Sequence, residues 1–148
     1  MPTRRPSHPR ARTSPVRTAF RLLLGAALVF AGTSHLTWSR LEFRAQVPRW
    51  LPLPVDLVVL GSGLAELALG AALLVLGRYR VAVGWLVAAF FVAVFPGNVA
   101  QYVNRIDAFG LNTDLTRAVR LGFQPLLVAW ALWSTGAWRA ARNAGRKR

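Results

Sequence analysis

One carboxylate in this chain stands where a carboxylate is expensive. Glu66 lies inside "LGSGLAELALGAALLVLG" (residues 60–77), a run otherwise made of apolar and small residues. An ionised acid facing hydrocarbon at mid-depth costs about 2.5 kcal/mol or more, so a Glu in such a run must face inward and find a partner, or stay protonated. Other spans supply the partners: His35 in the first apolar segment, Asn98 and Gln101 in the third, and Arg120 and Gln124 at the start of the fourth. Arg120 reaching down by its long side chain, His35, or Gln124 through a hydrogen bond are the candidates for Glu66. Together these types can hold or move a proton (Glu66, His35), attract an anionic or carbonyl oxygen (Arg120), and orient a polar group by amide contacts (Asn98, Gln101, Gln124).

The elements that must carry these residues follow from hydropathy. Of the 148 residues 54% are hydrophobic, and the charges gather in separate short stretches, which is a membrane protein's pattern. Four apolar segments, at 18–38, 55–76, 81–103 and 121–138, are each long enough at about 1.5 Å per residue to cross a hydrocarbon core of about 30 Å. The expected fold is therefore all-α, an integral membrane four-helix bundle. Pro96 and Gly97 predict a kink or an early end in the third segment. Residues 1–17, with four prolines and no apolar periodicity, read as a disordered basic cytoplasmic tail; 18–138 is the membrane domain, and 139–148 is a second basic tail. The first apolar run is too long, and is followed by too many others, for a cleaved signal peptide, so an uncleaved first helix is expected.

Charge sets the orientation. Thirteen of the nineteen Lys and Arg lie before or in the first turn of the first span, in the Arg78/Arg80 turn, or after Trp138, three regions that four spans place on one side. The positive-inside bias puts that side, with both termini, in the cytoplasm. The basic residues flank the spans and do not interleave with aromatics on a soluble face, so anionic lipid is the expected partner and nucleic acid is not. In this orientation His35 lies about 20 Å beyond Arg21 along the first helix, toward the outer side, and Glu66 about 16 Å below Val55, near mid-depth. Asn98, Gln101, Arg120 and Gln124 fall near the outer ends of their helices. Independent segments thus bring their polar groups to one half of the bundle.

Spacing sharpens the picture. Gly25, Leu28, Gly32 and His35 share one face of the first helix, and Gly63, Glu66 and Gly70 share one face of the second; glycines there let helices approach closely in lipid. "VPRWLPLP" (47–54) reads as a non-helical cap, and Asn112 or Thr113 as the helix cap leading into the fourth span. With no cysteine, disulfides, thiol catalysis and thiolate metal sites are excluded; one inner His and one Glu make no complete metal site. "GSGLAE" fails as a dinucleotide fingerprint because Glu66 replaces the last glycine and no strand precedes it. The plainer reading of the polar cluster is that it fixes helix assembly; the sharper one is a polar cavity, open to the outer side, for a headgroup, a quinone or a proton.

"AGTSHL", "VPRWLPLP", "GSGLAELALGAALL", "VFPGNVAQY" and "RLGFQPLLVAW" follow one another in an order and spacing that resembles the DoxX-like small membrane proteins of bacteria, over roughly residues 18–138. The resemblance implies a four-helix membrane protein with polar positions at His35, Glu66, Asn98, Arg120 and Gln124, and for some relatives a link to quinone-dependent redox chemistry. The expectation is a membrane protein binding a small lipophilic or quinone-type ligand without a covalently bound cofactor. The alternatives are a membrane subunit of a quinone-linked oxidoreductase, with a redox partner supplying electrons, and a proton-coupled transporter protomer, which would have to form a homo-oligomer.

Overall fold

A computed structural model describes residues 14–146, and among them every regular element is helical. Six α-helices follow in order: α1 (Pro15–Leu36), α2 (Arg40–Gln46), α3 (Val55–Val75), α4 (Arg80–Val103), α5 (Asp114–Thr135) and α6 (Ala137–Gly145), with a single 3-10 turn at Gly77–Tyr79. Three stretches are long and apolar enough to cross a membrane: Pro15–Leu36, Val55–Val75, and Gly77–Val103. The fourth expected span does not join them by composition. Helix α5 begins already at Asp114 and carries Arg117, Arg120 and Gln124 in its first half, which lowers its hydropathy although it is 22 residues long. Much of the apolar surface faces outward, Leu23, Phe30, Leu64, Leu86, Val92, Phe123 and Leu126 among it; a water-soluble monomer would not leave so much uncovered.

The glycine-lined faces meet as the spacing predicts. Helices α1 and α3 run antiparallel with Gly25 against Gly70 and Gly32 against Gly63. A Cβ on Gly32 would stand 2.6 Å from the Gly63 carbonyl oxygen, and one on Gly70 2.8 Å from that of Gly25. No side chain fits between these backbones. Helices α4 and α5 form the second close pair, with Gly84 packed against the Thr135 side chain. Between the pairs lies the core, with Leu24, Leu28, Leu73, Val87, Phe91 and Ala131 buried. At one end Phe20 packs edge-on against Trp130 and Trp133, so the start of α1 and the end of α5 lie together.

Several boundaries depart from expectation. Helix α1 starts at Pro15, whose missing N–H costs nothing in the first turn, so residues 15–17 are helical and not part of a disordered tail. The rest of that tail, residues 1–13, lies outside the described residues. Helix α4 does not end at Pro96 but continues to Val103. One proline removes one backbone donor, and in an apolar setting unwinding would strand many more. Helix α5 stops at Thr135, where Gly136 adopts a left-handed conformation (φ 78°) and turns the chain into α6. The short helix α2 was not anticipated. The 47–54 segment is non-helical as expected, and Thr113 caps α5: its hydroxyl accepts from the Thr116 N–H at 3.2 Å, and the Thr116 hydroxyl accepts from the Thr113 N–H in return.

Candidate functional site

A cavity of about 470 Å³ opens between α1, α3, α4 and α5, roofed by α2 and by the loop that precedes α5. His35, Glu66, Asn98, Arg120 and Gln124 all line it, so five of the six polar residues singled out from the sequence share one space. The sixth, Gln101, stands behind them. Most of the remaining wall is apolar, including Val59, Phe91, Val94 and Leu127.

One pole of the cavity is built by α1 and α3. His35, in the last turn of α1, and Glu66, on the α3 face between Gly63 and Gly70, approach to 2.6 Å between Nδ1 and Oε2; their side chains are 8% and 12% exposed. Neither atom has an aligned hydrogen bond among the described residues, so the contact is one of proximity. Phe43 of α2 stacks on the imidazole with ring centroids 3.3 Å apart. Among the three candidate partners for Glu66, the structure brings His35 to it; Arg120 and Gln124 bond elsewhere. The glycines explain why: with no side chains at 32 and 63, α1 comes close enough for the imidazole to reach the carboxylate.

The second pole is built by α4 and α5. Arg120 donates from Nε to Asn98 Oδ1 and from Nη2 to Gln46 Oε1, each at 3.1 Å, and its guanidinium lies 4.9 Å from the centre of the Phe109 ring. Asn98 in turn donates to Gln124 Oε1 at 2.9 Å, and Gln124 donates to the Phe91 carbonyl at 2.6 Å. That carbonyl sits one residue before the one whose helical donor Pro96 removes. On the other side Gln46 donates to Gln101 Oε1 at 2.7 Å, and Gln101 reaches the carbonyls of Ile106 and Ala108 at 3.4 Å. Gln101 is therefore a support for Gln46 and not a wall of the cavity. Among the described residues Arg120 meets only neutral partners, so its positive charge is directed into the cavity without a counter-ion.

Four participants escaped the sequence. Gln46 and Phe43 belong to α2, whose seven residues carry no signal that separates an inward from an outward face. Phe109 sits in the left-handed region (φ 57°), an uncommon state for an aromatic residue, and there it contacts both Phe43, at 4.6 Å between ring centroids, and Arg120. Arg117, which reads as an ordinary loop cation, is buried and anchors this loop through Asp107, Asp114 (2.9 Å) and the Ile106 carbonyl.

The geometry defines a class: an all-helical chain with three helices able to cross a membrane and an internal cavity with an acid–imidazole pole and a guanidinium–amide pole. The chain belongs to the family described as Domain of unknown function (DUF8561), whose model matches residues 24–135, from the middle of α1 to the last residue of α5. All of the cavity residues fall inside that match. No curated protein and no solved structure matches the chain.

Proposed function

We propose that this is a four-helix integral membrane protein, DoxX-like, that binds a small lipophilic ligand bearing polar oxygens, of quinone type, in the cavity between Glu66 and Arg120. The observation that carries the reading is the shape of the cavity's polarity. An otherwise apolar space holds an acid–imidazole pair on one wall and an arginine with only neutral partners on the other. An apolar ring would fill the space, a carbonyl oxygen would accept from Arg120, and the His35–Glu66 pair would hold or take up a proton at a second oxygen. Helix α5 serves as the fourth span, its polar half turned to the cavity. Both termini lie in the cytoplasm of a bacterial inner membrane, because the end where α1 begins carries most of the basic residues.

Thermal unfolding of the full chain in detergent tests the ligand. A short-chain benzoquinone should raise Tm in the native protein and much less in Arg120→Leu, while an alkane of similar size should do little in either. A quinone shift that survives unchanged in Arg120→Leu and in Glu66→Gln sinks the reading. The second reading, a membrane subunit of a quinone-linked oxidoreductase, is favoured by the His35–Glu66 pair, since quinone reduction needs protons. It requires a co-purifying redox partner to supply electrons, since the sequence carries no recognisable cofactor motif.

A further inference from the structure

At the opposite end of the molecule the electrostatics reverse. The chain has five carboxylate side chains in all. Glu66 lies in the cavity, Glu42 accepts from the Phe109 N–H, Asp56 meets Arg40 and Arg44 at 3.1 and 3.3 Å, and Asp107 and Asp114 hold Arg117. None is left for the end where α1 starts, the Gly77–Tyr79 turn lies and α4 begins. That end nevertheless holds Arg21, only 8% exposed, and Arg80, the first residue of α4 directly after the Gly77–Tyr79 turn. One Arg21 donor goes to the Leu73 carbonyl, at the open C-terminal turn of α3, and the Nη2 side of the guanidinium lies beside Gly77, where a Cβ would be 3.6 Å away. The Arg80 Nε is fully buried and has no hydrogen-bond partner among the described residues. Two neighbouring guanidiniums, one with a stranded buried donor, are costly unless an anion answers them.

We infer that Arg21 and Arg80 form a phosphate site between α1, the Gly77–Tyr79 turn and α4, and that its occupant is the phosphate of an anionic lipid headgroup. The oxygens accept from the Nη donors left free on both guanidiniums, in the geometry that arginine offers phosphate. A lipid supplies such a phosphate at the depth where a spanning helix meets the interface, and basic pockets between helices on that side are its usual seat. The site is independent of the cavity, which lies at the other end.

Native mass spectrometry of the full chain, released from detergent with phosphatidylglycerol, phosphatidylcholine or inorganic phosphate added, reads the site directly. A single phosphatidylglycerol should be retained in preference to phosphatidylcholine, and Arg80→Gln should weaken retention by about tenfold, the loss of one charged hydrogen bond. Arg142→Gln, an exposed arginine of α6 at the same end, should change it little. Retention of inorganic phosphate alone, lost in Arg80→Gln, would support the anion site and give it a soluble source. Equal retention of the two lipids, no effect of Arg80→Gln, or an equal effect of Arg142→Gln would each overturn the proposal, the last by reducing it to diffuse charge. Arg21→Gln should act in the same direction; if it fails to fold through loss of the Leu73 contact, the Arg80→Gln comparison stands by itself.

Discussion

The two helix pairs are held together by opposite means. Between α1 and α3 the seam is backbone on backbone: four glycines in matched register, with no room for a Cβ. Between α4 and α5 the seam near the cavity is a chain of side-chain amides, Asn98 and Gln124, ending on a helix carbonyl and extended by Arg120. In lipid, where helices gain little from burying apolar surface against one another, close approach and interhelical hydrogen bonds are the two available sources of adhesion, and around the cavity this chain uses one for each pair. The difference has a consequence for the cavity. The glycine seam has no slack and sets the His35–Glu66 distance, whereas the amide seam holds Arg120 by side-chain hydrogen bonds to neutral partners.

The largest effect that separates the seams should come from Gly32→Val. Its side chain would meet the Gly63 carbonyl and Leu67, and overpacking of a seam with no slack costs about 3 kcal/mol or more; thermal unfolding in detergent should show the protein collapsing to low Tm or failing to fold. Next is the pairing across the first pole. A double-mutant cycle of His35→Ala and Glu66→Gln should give a coupling of about 1 kcal/mol or more, while a cycle of Glu66→Gln with Arg120→Leu should be close to additive, since those two do not touch. Additive behaviour in the first cycle would mean that the 2.6 Å approach contributes nothing. On the amide seam, Gln124→Leu leaves the Asn98 amide and the Phe91 carbonyl short of a partner and should cost about 1 to 2 kcal/mol, less than the glycine change. The smallest effect is expected from Thr113→Ala, which removes the cap of α5 away from both seams and should cost about 1 kcal/mol.

Legibility follows the same division. The α1–α3 face could be read in advance because a glycine at each second turn beside a polar residue has few explanations in an apolar helix. The polar residues of the cavity were legible as a set, since each is costly in its own span. Which of them pair was not. Glu66 had three candidate partners at similar depth, and the choice of His35 depends on an interhelical distance that no spacing along one helix contains. Gln46, Phe43 and Phe109 were missed for a related reason: they come from a seven-residue helix and a loop, where there is too little periodicity to assign a face. The apolar segment of α5 begins late, at residue 121, because hydropathy registers only its apolar half, whereas the cap expected at Asn112 or Thr113 marks where the helix does start.

Composition and patterning alone determined that this chain is helical, rich in surface for an apolar solvent, and obliged to turn a few polar side chains inward, because the cost of stranding a charge or a backbone group in hydrocarbon is local and can be counted residue by residue. Only the packed structure decided that those side chains divide into two poles, that Arg120 meets amides and His35 meets Glu66, and that Arg21 and Arg80 have no acid beside them among the described residues. Such pairings depend on distances of a few ångströms between helices far apart in the chain, and those distances are set by how every helix packs at once.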